Sequence, residues 1–406
     1  MADRGSALTQ SQYYMGYFDT LRTRSLYRFA VSTFYFLQGL TFASWASRIP
    51  DIKNALHLSS GELGSILFAI PMGQLTAMAI SGYLVSKFGS RRMLTIAAVA
   101  YPAALVGLGS ALTGWQLAMA LYVFGITANL INISVNTQGI GVERLYGRTI
   151  LPTFHGLWSL AGFTGGIIGS LMVTMNVTPF WHFVMILMVA MLILMTMQRT
   201  LLPRDAAAPK DETGKTKRVY TKPDKYIVLL GITVFGSMIC EGTMFDWSGV
   251  YFEQVVKPDD SLIRLGYIAY MSTMALGRFS AEKLVAKFGI ITMLKASGLI
   301  IAAGLLTAVI FPYLVPATIG FLLVGLGTSS VVPLCYSLAG KSKTMRPGIA
   351  ITTVATIGFM GFLIGPPIIG HIAEWSSMRW SFVVIAVIGL TTTLIAPKLQ
   401  KMMAKM

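Results

Sequence analysis

The chain has 406 residues, of which 54% are apolar and 12% charged, about half the charged share of a soluble domain. Its 32 Lys and Arg outnumber 16 Asp and Glu, giving a net charge of +16. This composition excludes a disordered chain, a coiled coil and a disulfide scaffold and argues against a soluble enzyme, leaving a polytopic helical membrane protein.

Residues 1–27 are polar and carry Arg4, Arg22 and Arg24. No short apolar core with a small-residue cleavage site stands there, so the first apolar run is expected to remain as a helix. Runs long enough to cross a bilayer then follow at 27–47, 61–83, 92–112, 115–139, 153–175, 179–198, 226–252, 262–286, 290–311, 314–338, 348–370 and 377–397. Breakers and charges separate them, among them Ser86–Arg92, Gly147-Arg148, Phe311-Pro312 and Lys341–Lys343. The long connector 199–225 is polar, with Pro203, Pro209, Pro223 and eight Lys or Arg, and reads as a solvated cytoplasmic linker. The expected fold is an all-α membrane protein of twelve transmembrane helices. Residues 1–198 would form one six-helix bundle and 226–406 a second, related by a pseudo-two-fold axis.

With both termini inside, 26 of the 32 basic residues fall on one face of the membrane. Arg48, Lys53, Lys257, Arg264 and Arg379 fall on the other, and Arg278 stays within span eight. Such a bias marks the cytoplasmic side. It accounts for the positive charge without a nucleic-acid partner. Cys240 and Cys335 lie in apolar runs without metal-ligand spacing and read as packing residues.

The polar residues inside the spans are the functional candidates, because burying them in lipid is costly. Gln38 and Trp45 fall in span one and Gln74 in span two. Span four carries Asn129, Asn132 and Asn136 on one helical face. Such amides suit a hydroxyl-rich solute, or else bond helix to helix. His155 and Trp158 open span five; the histidine reads as a satisfied helix-end residue. Glu241 lies well inside span seven, where burial disfavours a permanent charge, so it is either a proton-coupling or substrate acid or the partner of a buried cation. Asp246 follows five residues later, about 140° around the helix, so the two acids are not expected to share a face. Trp247 is adjacent. Arg278 could pair with Glu241, meet an anionic solute, or bridge to Glu282 one turn on. Tyr336 in span ten is a further candidate for the cavity wall. In span eleven Pro366-Pro367 is expected to break the helical ladder. No Walker loop, zinc cluster or catalytic triad is present in the sequence, so neither enzyme activity, cofactor nor metal is expected.

Leu84-Val85-Ser86-Lys87-Phe88-Gly89 recurs as Leu284-Val285-Ala286-Lys287-Phe288-Gly289, in the same slot after the second span of each half. Repeated halves of this kind describe a transporter that rocks about a midplane site. Gly82 through Ser86, Lys87, Gly89, Arg91 and Arg92 resembles the loop 2–3 signature of the major facilitator superfamily, and the resemblance extends over the whole chain. It implies a gating role for these residues and for Gly277, Glu282, Lys287 and Gly289 of the second copy. Ser86 stands where that family usually has an acid that caps a neighbouring helix and latches the two halves, so the latch is expected to be weak in this half. Glu282 would take a latch-like role in the other. Arg48-Ile49-Pro50-Asp51-Ile52-Lys53, Cys240-Glu241-Gly242 and Asp246-Trp247-Ser248 resemble a bacterial inner-membrane branch related to sugar permeases. Gly361-Phe362-Leu363-Ile364-Gly365-Pro366 resembles the antiporter motif of drug exporters, but in span eleven rather than five. The expectation is a monomeric permease that moves a small neutral or weakly charged hydroxylated solute, such as a sugar, with protons coupled through Glu241. A drug exporter and a non-transporting receptor of the same fold are the alternatives.

Overall fold

A computed structural model describes residues 5–148, 150–203, 205, 223–342, 344–345 and 347–405, with side chains of 5–22, 347 and 404–405 left out. Most of the expected linker, the first four residues, Lys343 and Arg346 lie outside the described residues. The helices are α1 (Gly5–Ala55), α2 (Ser60–Leu67), α3 (Ala69–Phe88), α4 (Ser90–Gly109), α5 (Gly114–Tyr146), α6 (Leu151–Thr174), α7 (Pro179–Met197), α8 (Lys225–Tyr251), α9 (Leu265–Phe288), α10 (Ile290–Ile310), α11 (Leu314–Thr328), α12 (Val331–Ala339), α13 (Pro347–Trp375) and α14 (Met378–Lys405).

Ten helical segments among the described residues are long and apolar enough to cross a membrane, counting α2 with α3 and α11 with α12 as one each. The remaining two expected spans fall in α1 and α9. Their Ser, Thr, Gln and Tyr residues dilute the apolar runs, and several hydroxyls are satisfied within the protein. Thr41 donates to the Leu37 carbonyl and Ser44 to that of Leu40, both at 2.8 Å, and Thr273 of α9 donates to Leu322 at 2.6 Å. The outer faces are apolar: α7 exposes Met188, Leu192 and Met195.

Prolines set the interruptions, though not where expected. Spans two and ten divide at Phe68 and at Ser329-Ser330, close to the carbonyls whose helical donors Pro71 and Pro333 lack. Pro366-Pro367, expected to break span eleven, lie inside the continuous α13. Neighbouring helices can re-satisfy backbone freed by such residues. Span one also runs past its expected end: α1 carries Pro50 within it and continues to Ala55, so Arg48, Asp51 and Lys53 are helical rather than loop residues.

The pairing of helices repeats. In α1–α7, α1 packs on α6 and α7, α3 on α5, and α4 on α5 and α7; in α8–α14, α8 packs on α13 and α14, α9 on α11, and α10 on α11 and α14. The repeated sequence words take the same shape. Gly89 (φ 84°, ψ 146°) and Gly289 (φ 78°, ψ 156°) each join two helices in a backbone region that disfavours a side chain. Each donates its amide to the carbonyl four residues back, Val85 at 2.9 Å and Val285 at 2.8 Å.

Candidate functional site

The two sets of helices meet mainly through α6 against α9 and α2 against α13. Their polar contacts gather at the end where α1 terminates. Arg264 bonds the Asp51 carboxylate at 2.5 Å and the Ser47 carbonyl at 3.2 Å. Asn54 donates to Glu253 at 2.6 Å, and Ser170 to the Ser261 carbonyl at 2.9 Å. Helices α2 and α13 touch there through backbone: a Cβ on Gly64 would stand 2.6 Å from the Pro366 oxygen. At the other end Gly82 and Gly289 have nothing within 4 Å of an added Cβ. Polar contacts thus join the halves at one end, while α6 and α9 stay packed from Gly166 against Tyr267 and Ile268 to Gly156 against Phe279.

Between them lies a cavity of about 480 Å³, a size suited to a small organic solute. Helix α1 lines it with Tyr35, Gln38 and Phe42, residues spaced three and four apart and so on one face. Gln74 enters from α3, Tyr101 from α4, Asn129 and Asn132 from α5, and His155 and Trp158 from α6. The facing wall holds Glu241, Phe245 and Asp246 of α8, Arg278 of α9, and Phe359 and Phe362 of α13.

Arg278 is the hub. Its guanidinium donates to Glu241 Oε1 at 3.2 Å and to Ser159 Oγ of α6 at 2.6 Å, and stands 5.8 Å from the centre of the Trp158 ring. Glu241 is buried, and removing one member of such a pair leaves the other charge uncompensated. The bridge from Arg278 to Glu282 is not formed: Glu282 is exposed and without a polar contact among the described residues, so it latches nothing in this conformation.

Asp246 lines the same cavity as Glu241 but forms no pair with it, as their angular separation leads one to expect. The cavity wraps a broad arc of α8, from Met238 through Gly242 to Asp246, wide enough to take both acids. The amide stripe divides its work. Asn132 Oδ1 accepts from Asn136 Nδ2 at 2.9 Å and from Gln38 Nε2 at 3.4 Å. Asn136 lies off the cavity wall and accepts from the Tyr35 hydroxyl at 2.8 Å, tying α5 to α1. Trp45, Trp247 and Tyr336 do not line the cavity either. Both tryptophans are fully buried in the core, with each Nε1 unpartnered, and Tyr336 packs in a separate cluster with α12. Sequence reading missed Tyr35, Phe42, Phe245, Phe362 and Ser159. The helical spacing about Gln38 would have found the first two; nothing in the sequence distinguishes Ser159 from the many packing serines.

Among the described residues the signature loop makes no cross-half latch. Ser86 folds back on the Tyr83 carbonyl at 2.8 Å. Asp205 takes over the capping of α4, accepting from the Ser90 amide at 2.8 Å and from its hydroxyl. Gln138 secures the same corner, donating to Ser90 Oγ at 2.7 Å and to the Leu202 carbonyl at 3.1 Å. Lys87, Arg91 and Arg92 surround it.

The sequence profile of the Major Facilitator Superfamily matches residues 31–346. The chain belongs to this family of membrane transporters. Among its relatives, an uncharacterized MFS-type transporter of Yersinia pestis is 32% identical over 357 residues, 88% of this chain and 91% of the relative. The membrane protein MosC of Rhizobium meliloti is 30% identical, over 89% of this chain and 87% of its own length. Among solved structures, the fold matches the nucleoside transporter NupG with TM-score 0.69 at 12% identity, over 92% of this chain and 99% of that one. It matches a D-xylose-proton symporter with TM-score 0.70 at 16% identity, over 91% and 97%. At these identities the likeness concerns the fold alone. The fold is that of a multi-pass facilitator, and the chain is a transporter rather than an enzyme.

Proposed function

We propose that the chain is a secondary transporter that carries a small hydroxylated solute, such as a sugar, by alternating access, with protons coupled through Glu241. The observation that carries this reading is the cavity: Gln38, Gln74, Asn129 and Asn132 offer amide donors and acceptors to hydroxyls, beside aromatic rings that can stack on a sugar face. The bias of basic residues supports placing the α3–α4 and α9–α10 loops and both termini on the cytoplasmic side, in a bacterial inner membrane by the family resemblance. The joined end then faces outward, and the cavity is reached from within.

Coupling follows from the ion pair. Ionised Glu241 holds Arg278; once protonated, Glu241 loses the attraction and Arg278 leans on Ser159 of the other half. A proton taken up on one helix thereby alters a bond between the halves. The test is uptake of radiolabelled sugars by vesicles reconstituted with the full chain, with and without an imposed pH gradient. Glu241→Gln is expected to abolish accumulation against the gradient while leaving exchange of solute at equal concentrations. Gradient-driven uptake that survives in this variant would sink the coupling assignment. Binding of lipophilic cations alone would move the protein to the drug exporters.

A further inference from the structure

Charge in the cavity does not balance. Two carboxyls, Glu241 and Asp246, face one guanidinium. Arg278 is already committed to Glu241 and Ser159. His155, the remaining titratable base in the wall, sits on α6 edge-on to the Tyr35 ring, 5.5 Å between centroids. Among the described residues, Asp246 forms neither an ion pair nor a hydrogen bond. It lies about 7.5 Å along α8 from Glu241, toward the joined end.

An unpaired carboxylate in a low-dielectric site costs free energy that a cation would recover. The surroundings are set for one. Phe245 precedes Asp246, and its ring stands 5.3 Å from Phe42 and 6.3 Å from Phe362, all three lining the cavity. Aromatic faces attract cations electrostatically. Asn129 lines the same cavity, and its Oδ1 is buried and without a partner. Within electrostatic reach of Asp246, the Tyr267 hydroxyl is likewise buried and unpartnered. These are mostly acceptors waiting for donors, and a protonated amine supplies up to three from one atom.

We infer that Asp246 is an amine subsite, and that the solute is an amino sugar or a similar polyol bearing one protonated amine. The ammonium sits against Asp246 and the phenylalanine wall, while its hydroxyls reach the amides of Gln38, Gln74 and Asn132. This rests on the reading of the chain as a carrier of hydroxylated solutes and narrows it from neutral to cationic members.

The test is equilibrium binding to the purified full chain in nanodiscs, followed by calorimetry, with glucosamine, glucose, glucuronate and tetraphenylphosphonium as probes. Glucosamine and glucose differ by a single group. Glucosamine is expected to bind at least about tenfold tighter than glucose, as for a hydrogen bond to a charged partner, with glucuronate weakest. Asp246→Asn should erase the preference of glucosamine over glucose, while Asp246→Glu should keep it. Equal binding of glucose and glucosamine, or a preference that survives Asp246→Asn, overturns the amine subsite and leaves the hydroxylated-solute reading standing. Binding of tetraphenylphosphonium alone, or of no probe, overturns both. If Asp246→Asn does not fold, the wild-type comparison still decides the sign.

Discussion

Asp51 holds two guanidinium groups at the joined end of the molecule, Arg264 at 2.5 Å and Arg48 at 3.2 Å. The arginines are 2% and 3% exposed, the aspartate 26%. Replacing Asp51 with Asn leaves both cations buried beside each other. Breaking a fully buried pair costs about 3–5 kcal/mol; screening at the quarter-exposed Asp51 reduces this to roughly 1–3 kcal/mol. Arg264 keeps its bonds to the Ser47 and Asp260 carbonyls, so the end is weakened rather than unmade. The penalty falls on the joined conformation, where the charges are dry. In the opposite conformation water would reach them. The equilibrium should therefore move toward opening at this end by about 5- to 150-fold. Spin labels at Leu112 and Trp375, both strongly exposed at that end and on opposite halves, report the change as a longer population in the distance distribution. An unchanged distribution in Asp51→Asn protein that melts normally would refute the reasoning and reduce the cluster to a surface ornament.

Four other outcomes are expected. Gly64→Val places side-chain carbon against the Pro366 carbonyl, so it should block closure of the same end and bring uptake near background while solute still binds; normal uptake would show that α2 and α13 need not touch. Asp205→Ala strips the cap from α4 and should cost about 0.5–2 kcal/mol, read as a lowered melting temperature, with transport per folded molecule unchanged. Ser159→Ala removes the hydrogen bond of Arg278 to the other half and should lower the rate of gradient-driven uptake more than it lowers affinity, measured as separate kcat and KM. Trp45→Phe should leave solute affinity unchanged, because the indole faces the core and its Nε1 has no partner to lose; an altered Kd would place it at the cavity after all.

The architecture was largely legible because lipid imposes a coarse code: long apolar runs, charged connectors, basic residues to one side. The repeated word around Gly89 and Gly289 was the sharpest signal, and its two copies superpose in backbone conformation and hydrogen bonding. What failed was local. Pro71 and Pro333 lie beside helix interruptions while Pro366 and Pro367 do not. The charged sequence after span one looked like a loop because it is polar, yet Arg48 and Asp51 ride the last turns of α1 and bond across to α9. At the site, polar residues in apolar runs led to Gln38, Gln74, Asn129, Asn132, Glu241, Asp246 and Arg278, all of which line the cavity. Of the aromatic candidates Trp158 lines the cavity, whereas Trp45, Trp247 and Tyr336 do not. Trp45 and Trp247 are core while Phe42 and Phe245 are wall, and composition treats them alike.

The scaffold is repeated, but the chemistry on it is not. The amides Gln38, Gln74, Asn129 and Asn132 come from α1–α7, and the charges Glu241, Asp246 and Arg278 come from α8 and α9. Two copies of one helical plan therefore present a neutral hydrogen-bonding wall to a charged one. A solute that engages both walls ties the halves together, whereas a proton that reaches only Glu241 acts on the charged wall. For the two to be coupled, some bond must run from the charged wall to the neutral one and depend on the state of Glu241. Among the described residues, the contact between Arg278 and Ser159 meets that requirement: it crosses between the halves and shares its guanidinium with the acid. The latch at Asp51 and Arg264 crosses too, but at the joined end and with no hydrogen bond to Glu241, so it can set which conformation is favoured without sensing the proton. Conformational bias and coupling are thus carried by two arginines of the same helical region, Arg264 at the start of α9 and Arg278 within it. Motion of α9 alone would move both.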